Sequence, residues 1–279
     1  MNIILKKAEI AKNTFEFLIR TPYVAQKCEP GQFVILHVDE NAERVPMTIA
    51  DFDRVAGTIT LIIQDIGSTS HHICHDFNEG DNILDLAGPL GQPAQMGNFG
   101  KVVVISGGIG VAPVFPIARK YKQLGNYVIG ITGAKSKEFL IWQDKMQSIC
   151  DENFTVTEDG SAGEKGLVTD ILDEILQHDK VVYVLTIGSV PMMKKVTEIT
   201  KKHGIRTVAS LNAIMLDGLG MCGGCRVTVD GKTKFACCDG PEFDAHLVDF
   251  DNLLMRQGMY HSQESEVYGC GGQCKCQAQ

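Results

Sequence analysis

The sequence predicts a chain of mixed class, an all-β part followed by an α/β part: a small antiparallel barrel, then a parallel sheet with helical crossovers, then a short glycine- and cysteine-rich segment. Three observations carry this reading. The first hundred residues hold period-two runs of β-branched and aromatic residues between Gly, Pro, Asn and Asp. From Lys101 short apolar runs alternate with helical stretches, the pattern of right-handed crossovers in a parallel sheet. Beyond about Thr207 that alternation stops and glycines and cysteines take over.

Size and composition agree with a folded chain of about two domains. There are 279 residues, 44% hydrophobic and 22% charged, close to globular averages. Lys and Arg number 26 against 34 Asp and Glu, a formal net charge of -8 that speaks against a general nucleic-acid or anionic-membrane surface. No apolar run reaches the roughly 18 residues of a membrane span, and the opening Met1 to Lys7 lacks a signal-peptide layout, so the expected compartment is the cytoplasm.

Taken in order, the barrel strands are expected at Thr14 to Ile19, Phe33 to Val38 and Thr58 to Ile63. Arg44-Val45-Pro46-Met47-Thr48 follows the second of them: an arginine suited to bidentate phosphate pairing, a fixed backbone, and a hydroxyl able to donate to a ring edge, although taken alone the segment reads as an exposed charge before a turn. Gly67-Ser68-Thr69-Ser70 precedes a short helix and offers N–H and hydroxyl donors to a phosphate, or simply an N-cap. Gly88-Pro89-Leu90-Gly91 reads as a turn closing the barrel, and the passage to the parallel sheet is expected near Gly97 to Gly100. The strand–helix pairs then run Val102–Ile105 with Val111–Leu124, Tyr127–Ile131 with Ser136–Ser148, Phe154–Thr157 with Val168–Gln177, and Val181–Thr186 with Pro191–Lys202.

The first of these pairs contains Gly107-Gly108-Ile109-Gly110 ahead of Pro113. Glycines there allow close approach of a pyrophosphate to a helix N-terminus, and proline is tolerated in the first turn. The alternative is a tight strand-to-helix turn with no ligand.

The ten cysteines are unevenly placed: Cys28, Cys74 and Cys150 read as buried apolar residues, while seven crowd the end. Asp217-Gly218-Leu219-Gly220-Met221-Cys222-Gly223-Gly224-Cys225, followed after a short hairpin by Cys237 and Cys238, can close around one metal centre. The spacing follows the plant-type 2Fe-2S pattern with Asp217 in place of its first cysteine; a structural zinc site and a set of inert cysteines are the other readings. Cys270, Cys274 and Cys276 in the tail leave open a second metal site or redox-sensitive thiols.

In that order, the Arg44–Thr48 segment, the Gly67–Ser70 cluster, the GGIGVAP turn and the cysteine block resemble the ferredoxin-reductase-like electron-transfer subunits. That group includes subunits of dihydroorotate dehydrogenase, sulfide dehydrogenase and NADH-dependent reduced ferredoxin:NADP oxidoreductase. The resemblance implies a six-stranded FAD-binding antiparallel barrel over 1–98, an NAD(H)-binding parallel α/β domain over 99–209, a 2Fe-2S segment over 210–260, and a cysteine-rich tail over 261–279. It implies that Arg44 meets the FAD pyrophosphate, that Pro46, Met47 and Thr48 line the isoalloxazine, that Ile62, Ile63 and Gln64 pass its ribityl side, and that Gly67, Thr69 and Ser70 cap phosphates. Gly108, Gly110 and Pro113 match its nicotinamide-dinucleotide turn. Gly133-Ala134 and Glu158-Asp159-Gly160 match loops near the adenosine, where Lys135 and Lys137 also lie. Gly188 stands in Ile187-Gly188-Ser189, which departs from the Cys-Gly-Pro of many relatives.

The implied cluster ligands are Asp217, Cys222, Cys225 and Cys237, the last chosen over Cys238 by a Cys-x-Asp-Gly-Pro register. One aspartate with three cysteines favours the transhydrogenase and sulfide-dehydrogenase branch over the four-cysteine dihydroorotate type. The implied activity is NAD(P)H-dependent electron transfer through FAD and a 2Fe-2S cluster, needing no catalytic side chain. The implied partner is a larger flavoprotein and iron-sulfur subunit, with electron bifurcation in it and ferredoxin reached through it. A dihydroorotate dehydrogenase or sulfide dehydrogenase subunit is the near alternative, and a zinc-bearing scaffold without redox chemistry the distant one.

Overall fold

The computed structural model of the protein describes residues 2–40 and 42–260, so Cys270, Cys274 and Cys276 lie outside the described residues. Its first sheet is antiparallel with seven strands: β1 (Asn2–Ala11), β2 (Thr14–Arg20), β3 (Phe33–His37), β4 (Val45–Asp53), β5 (Thr58–Gln64), β6 (Asn82–Ile83) and β7 (Asp85–Leu90). Their order is β6-β1-β2-β5-β4-β3-β7. The strands at the two edges, β6 and β7, are separated by Leu84 alone. The sheet therefore curls until its edges nearly meet, which makes it an almost closed barrel. Seven strands stand where six were expected, and the two-residue β6 is the short one. Alternate residues fill the interior: Phe17 and Ile19, Val34 and Leu36, Ile59, Leu61 and Ile63. Two helices, α1 (Pro22–Lys27) and α2 (Ser68–Asp76), cover its ends.

One expectation here is corrected. Gly88, Pro89 and Leu90 belong to β7, where Leu90 faces Phe33, and only Gly91, with φ of 76°, turns the chain. A Cβ on Gly88 would stand 2.7 Å from Val34 Cγ1, so this glycine lets the edge strand lie close over β3.

The second sheet contains β8 (Lys101–Gly107), β9 (Tyr127–Ala134), β10 (Glu152–Thr157), β11 (Glu164–Lys165), β12 (Tyr183–Ile187) and β13 (Arg206–Ser210), all parallel. Between them run α3 (Val111–Gln123), α4 (Gln143–Ile149), α5 (Val168–His178) and α6 (Val190–Lys202). The hairpin of β14 (Arg226–Val229) and β15 (Lys232–Phe235) follows, turned at Asp230 and Gly231, both at positive φ as a type I′ turn requires. Then β16 (Glu242–Asp244) joins the edge antiparallel to β13, and α7 (Phe250–Gln257) closes the described chain. The order is β11-β10-β9-β8-β12-β13-β16. The near-continuous apolar strands Val102–Ile105 and Tyr183–Ile187 are those of a sheet buried on both faces.

The single helix expected over Ser136–Ser148 is also corrected. A 3₁₀ turn at Lys137–Phe139 gives way to extended chain at Leu140, and Trp142 sits at φ 54° before α4 begins. Tertiary contacts outweigh helix propensity here: the Trp142 ring packs edge-on to Phe115 at 5.2 Å, and its Nε1 donates to Glu16 at 2.8 Å. Between the sheets, Asn126 pins the passage 97–100 by accepting from the Phe99 and Gly100 N–H groups and donating to the Gly97 carbonyl.

The two sheets share cores. Ala50 and Ile62 of the barrel pack with Val102, Val104 and Phe115, while Phe33 and Ile35 pack with Val190, Met193, Val227 and Cys225. Among the described residues no helix is long and apolar enough to cross a membrane.

Candidate functional site

In the parallel sheet, β8 leads to β9 and β10 on one side while β12 and β13 lie on the other. The connections diverge between β8 and β12, and the crevice at the carboxyl ends of strands at such a switch point is where α/β sheets hold ligands. The Gly107–Gly110 turn and Gly188 lie at this point. Gly133 and Ala134 end the neighbouring β9, and Glu158-Asp159-Gly160 follows β10, so all these predicted residues share one edge.

The glycines divide by role. Gly108 has φ of 55° and open space where a Cβ would be, so its backbone faces the crevice. Gly110 is demanded by packing, because a Cβ there would collide with the Ile187 carbonyl oxygen. Cβ atoms on Gly107 and Gly188 would strike Met192, at 2.7 Å from Sδ and 2.5 Å from Cε. Pro113 occupies the third position of α3, where its missing N–H has no intrahelical role. Gly133 gives way to Val168, and Asp159 accepts from the Ser161 N–H and hydroxyl, which hold its carboxyl below the usual range. Met192 at the floor of the crevice was not singled out in the sequence; only its place one turn into α6 after Gly188 could have pointed to it.

On the barrel, Pro46, Met47 and Thr48 open β4 opposite Ile35, Val34 and Phe33, all three half-buried. Arg44 precedes them and pairs with Asp85 at 2.9 Å, both about half exposed. Ile62 and Ile63 are buried on opposite faces of β5, one in the core shared with the parallel sheet and one inside the barrel, so their backbone alone is free to face a ligand. Gln64 is half-buried. At the start of α2 the Ser70 hydroxyl accepts from the Ile66 and Gly67 N–H groups and donates to the Gly67 carbonyl, closing the helix N-terminus. The N–H groups of Ser68 and Thr69 precede the first intrahelical hydrogen bond, which runs from His71 to Gly67.

The cysteine block is a loop ahead of the β14–β15 hairpin. Asp217 organises it, accepting from the Leu219 N–H at 2.9 Å and the Cys222 N–H at 2.7 Å, which hold its carboxyl ionised below the usual range. Gly218, Gly220 and Gly223 all have positive φ, which bends the loop around the sulfurs; a Cβ on Gly220 would stand 2.6 Å from Cys238 Sγ. Cys225 and Cys237 are buried with sulfurs 3.1 Å apart, and Cys238 Sγ lies 3.7 Å from that of Cys237. Cys222 and Cys238 are exposed. Burial and the two neighbouring sulfurs push the Cys237 thiol up, the opposition that a bound cation relieves. The structure brings Cys225, Cys237 and Cys238 together and ties Asp217 to Cys222, but does not gather the four predicted ligands within one coordination distance; free thiols of this kind suit a soft metal or an iron-sulfur cluster. The fixed points around the loop are firm: Arg256 donates to the Gly224 and Arg226 carbonyls, Gln92 of the barrel end donates to the Cys238 carbonyl, and Gly218 lies against Ile35 of β3. The structure thus sets the thiols against the barrel wall.

Cys28 and Cys74 are buried as expected, with thiols pushed up to about 11 and about 12 by burial; Cys150 is only half-buried, its thiol also pushed up by burial to about 12.

Comparison with known proteins bears on each part. Residues 212–249 match the iron-sulfur cluster binding domain of dihydroorotate dehydrogenase B. The chain is 43% identical over 268 residues to a dihydroorotate dehydrogenase B (NAD(+)) electron transfer subunit homolog of Thermotoga maritima, covering 96% of this chain and 94% of that one. It is 31% identical to the electron transfer subunit of Caldanaerobacter subterraneus over 88% of this chain and 97% of that one. Among solved structures, a chain from the NADH-dependent reduced ferredoxin-NADP oxidoreductase, in work on flavin-based electron bifurcation, superposes with a TM-score of 0.91 at 42% identity, 96% of each chain covered.

Proposed function

The chain belongs to the family of dihydroorotate dehydrogenase B electron-transfer subunits and their homologues, and from that premise we propose that it moves electrons between NAD(H), FAD and a 2Fe-2S cluster, on to or from a larger flavoprotein and iron-sulfur partner subunit. It is an oxidoreductase subunit, and its own contribution is the NAD(P)H-dependent step. When bound, FAD supplies hydride acceptance and one-electron release, and the cluster a one-electron relay.

The chain's residues do the holding. Gly108 presents bare backbone at the switch point, and α3 directs its N-terminus at the same crevice, which suits the dinucleotide phosphates. Gly110, Pro113, Gly133, Gly188 and the Glu158–Gly160 loop shape the rest of that edge. Arg44 and the start of α2, where Gly67 turns the chain, the Ser68 and Thr69 N–H groups are free of intrahelical bonds and Ser70 fixes the turn, would hold the flavin phosphates. Pro46, Met47 and Thr48 would flank its ring, with the β5 backbone at Ile62, Ile63 and Gln64 beside it. Asp217, Cys222, Cys225 and Cys237 are the proposed cluster ligands, and the buried Cys225–Cys237 sulfur pair, in the loop that Asp217 ties to Cys222, is the observation that carries the reading. Along the chain the proposed division is 1–98 for flavin, 99–209 for NAD(H) and 210–260 for the cluster.

Around the cysteine loop Leu216 and Leu219 are each 56% exposed and Met221 85%, an apolar rim suited to a partner subunit. Asp217 in the place of a first cysteine ligand, with the TM-score of 0.91 to the oxidoreductase chain, favours the bifurcating type of partner. We place the chain in the cytoplasm, where ligand thiols stay reduced.

The test is an anaerobic visible spectrum before and after NADH, with flavin, iron and zinc assayed on the same sample of wild type, Cys237→Ser and Cys238→Ser. Flavin plus about two irons, bleached by NADH, is expected of the wild type. Cys237→Ser loses the iron and keeps flavin, whereas Cys238→Ser keeps both. Zinc without flavin overturns the redox reading; iron lost from Cys238→Ser alone moves the fourth ligand by one residue.

A further inference from the structure

A second group of metal-ligating side chains lies away from both the switch point and the cysteine loop. Asp65 leaves the end of β5, and His71 and His75 stand one turn apart on α2. His71 Nδ1 lies 3.1 and 3.0 Å from the two Asp65 carboxylate oxygens, and His75 Nε2 lies 2.8 Å from Oδ2. The two rings are 4.2 Å apart between centroids. The three donor atoms lie within 4.8 Å of one another.

Ordinary hydrogen bonding accounts poorly for this convergence. His72, between them in sequence, divides its nitrogens between two carboxylates, Asp39 at 2.7 Å and Asp76 at 2.6 Å. His71 and His75 instead crowd onto one carboxylate, and each ring has its second nitrogen to spare. The arrangement is also held in place: Asp65 is only 17% exposed, its N–H donates to the Asn13 carbonyl, and the His75 ring packs edge-on to Phe15 at 5.9 Å. Ligands about 2.0–2.2 Å from a first-row ion stand roughly 3 Å from their neighbours in its coordination shell, which both His–Asp65 pairs already match, with all three donors within 4.8 Å.

We propose that Asp65, His71 and His75 form a binding site for one divalent ion of the zinc class. Two imidazoles and a carboxylate are the donor set such ions take, and three protein ligands leave the remaining positions to water. On binding, the ion replaces any proton shared between imidazole and carboxylate and releases it to solvent. The ion ties the second turn of α2 to the end of β5, bracketing the Ile66–Ser70 turn. The assignment stands on these side chains alone and is independent of any flavin bound nearby.

The test must separate this site from thiols, which also bind zinc. Zinc ion is titrated calorimetrically into the full-length holoprotein carrying its iron and flavin, in a Cys270→Ser, Cys274→Ser, Cys276→Ser background. His71→Ala, His75→Ala and Asp65→Asn are run beside it. The parent takes up one equivalent, each substitution weakens that binding more than about tenfold, and zinc raises the melting temperature of the parent but not of the variants. Both histidines are well exposed, 61% and 47%, so their truncation opens no cavity, and unchanged flavin and iron contents verify the fold. No uptake by the parent, or the same isotherm in parent and variants, overturns the proposal.

Discussion

Glu242 is a carboxyl in the wrong surroundings. It sits on β16 opposite Ser210, its Oε1 is buried with no hydrogen-bond partner, and burial pushes its pKa up to about 7, against the pull of the Gln95 backbone N–H. A carboxyl whose folded value lies above its unfolded one favours the fold while it keeps its proton. That contribution is whole below the unfolded value, near 4.5, and is lost as pH rises through about 7. Glu242→Gln mimics the protonated group and should therefore melt above wild type at pH 8, by an amount on the order of 2 kcal/mol in unfolding free energy, and with it at pH 5. Thermal melts at the two pH values decide; an equal gap at both would dissociate the effect from ionisation. Nothing in the sequence marks Glu242, because its burial arises only where the C-terminal segment folds back onto the parallel sheet. The cysteine block rests on the opposite kind of signal: Asp217, Cys222, Cys225 and Cys237 lie within one loop and the hairpin after it, where spacing along the chain is short, and the structure sets Cys225 and Cys237 side by side.

Individual elements were legible where their pattern is local. Apolar strands such as Val102–Ile105 and the crossover helices appear within a few residues of their expected limits. The failures are tertiary: Trp142 takes a left-handed backbone to seat its ring, and Gly88 belongs to a strand because Val34 lies beneath it. The glycine turn after β8 carries the sharpest prediction at this scale. Gly110→Ala drives a methyl into the backbone of β12, which cannot retreat, so a loss of 1–3 kcal/mol or more is expected together with weaker NADH reduction. Gly108→Ala meets open space and suffers only its positive φ, roughly 1 kcal/mol. Melting temperatures and the NADH KM of the two variants measure this contrast, and equal effects would contradict the division of roles between the two glycines.

Across the whole molecule, each sheet has an interior of its own, and two further cores are shared between them. Ile62 of the barrel packs with Val104 of the parallel sheet, and Phe33 with Cys225 and Val227 of the hairpin region. Ion pairs repeat the connection, Arg119 with Asp51 at 2.6 Å and Lys12 with Glu138 at 2.9 Å. A single cooperative transition is expected in calorimetry, with van't Hoff and calorimetric enthalpies equal, rather than separate melting of barrel and sheet; two resolved peaks would show the shared cores to be weak.

The barrel's closure through Leu84 has a consequence for its making. During synthesis β1 emerges first, yet the strand that covers its free edge is β6, some eighty residues later, and β3 waits for β7 in the same way. A ribosome that has delivered five strands holds a curled sheet with both rims unpaired, the state most open to pairing with another chain. The rims are satisfied almost together, within a few residues of translation on either side of Leu84. The interval before that moment is when this protein most needs a chaperone.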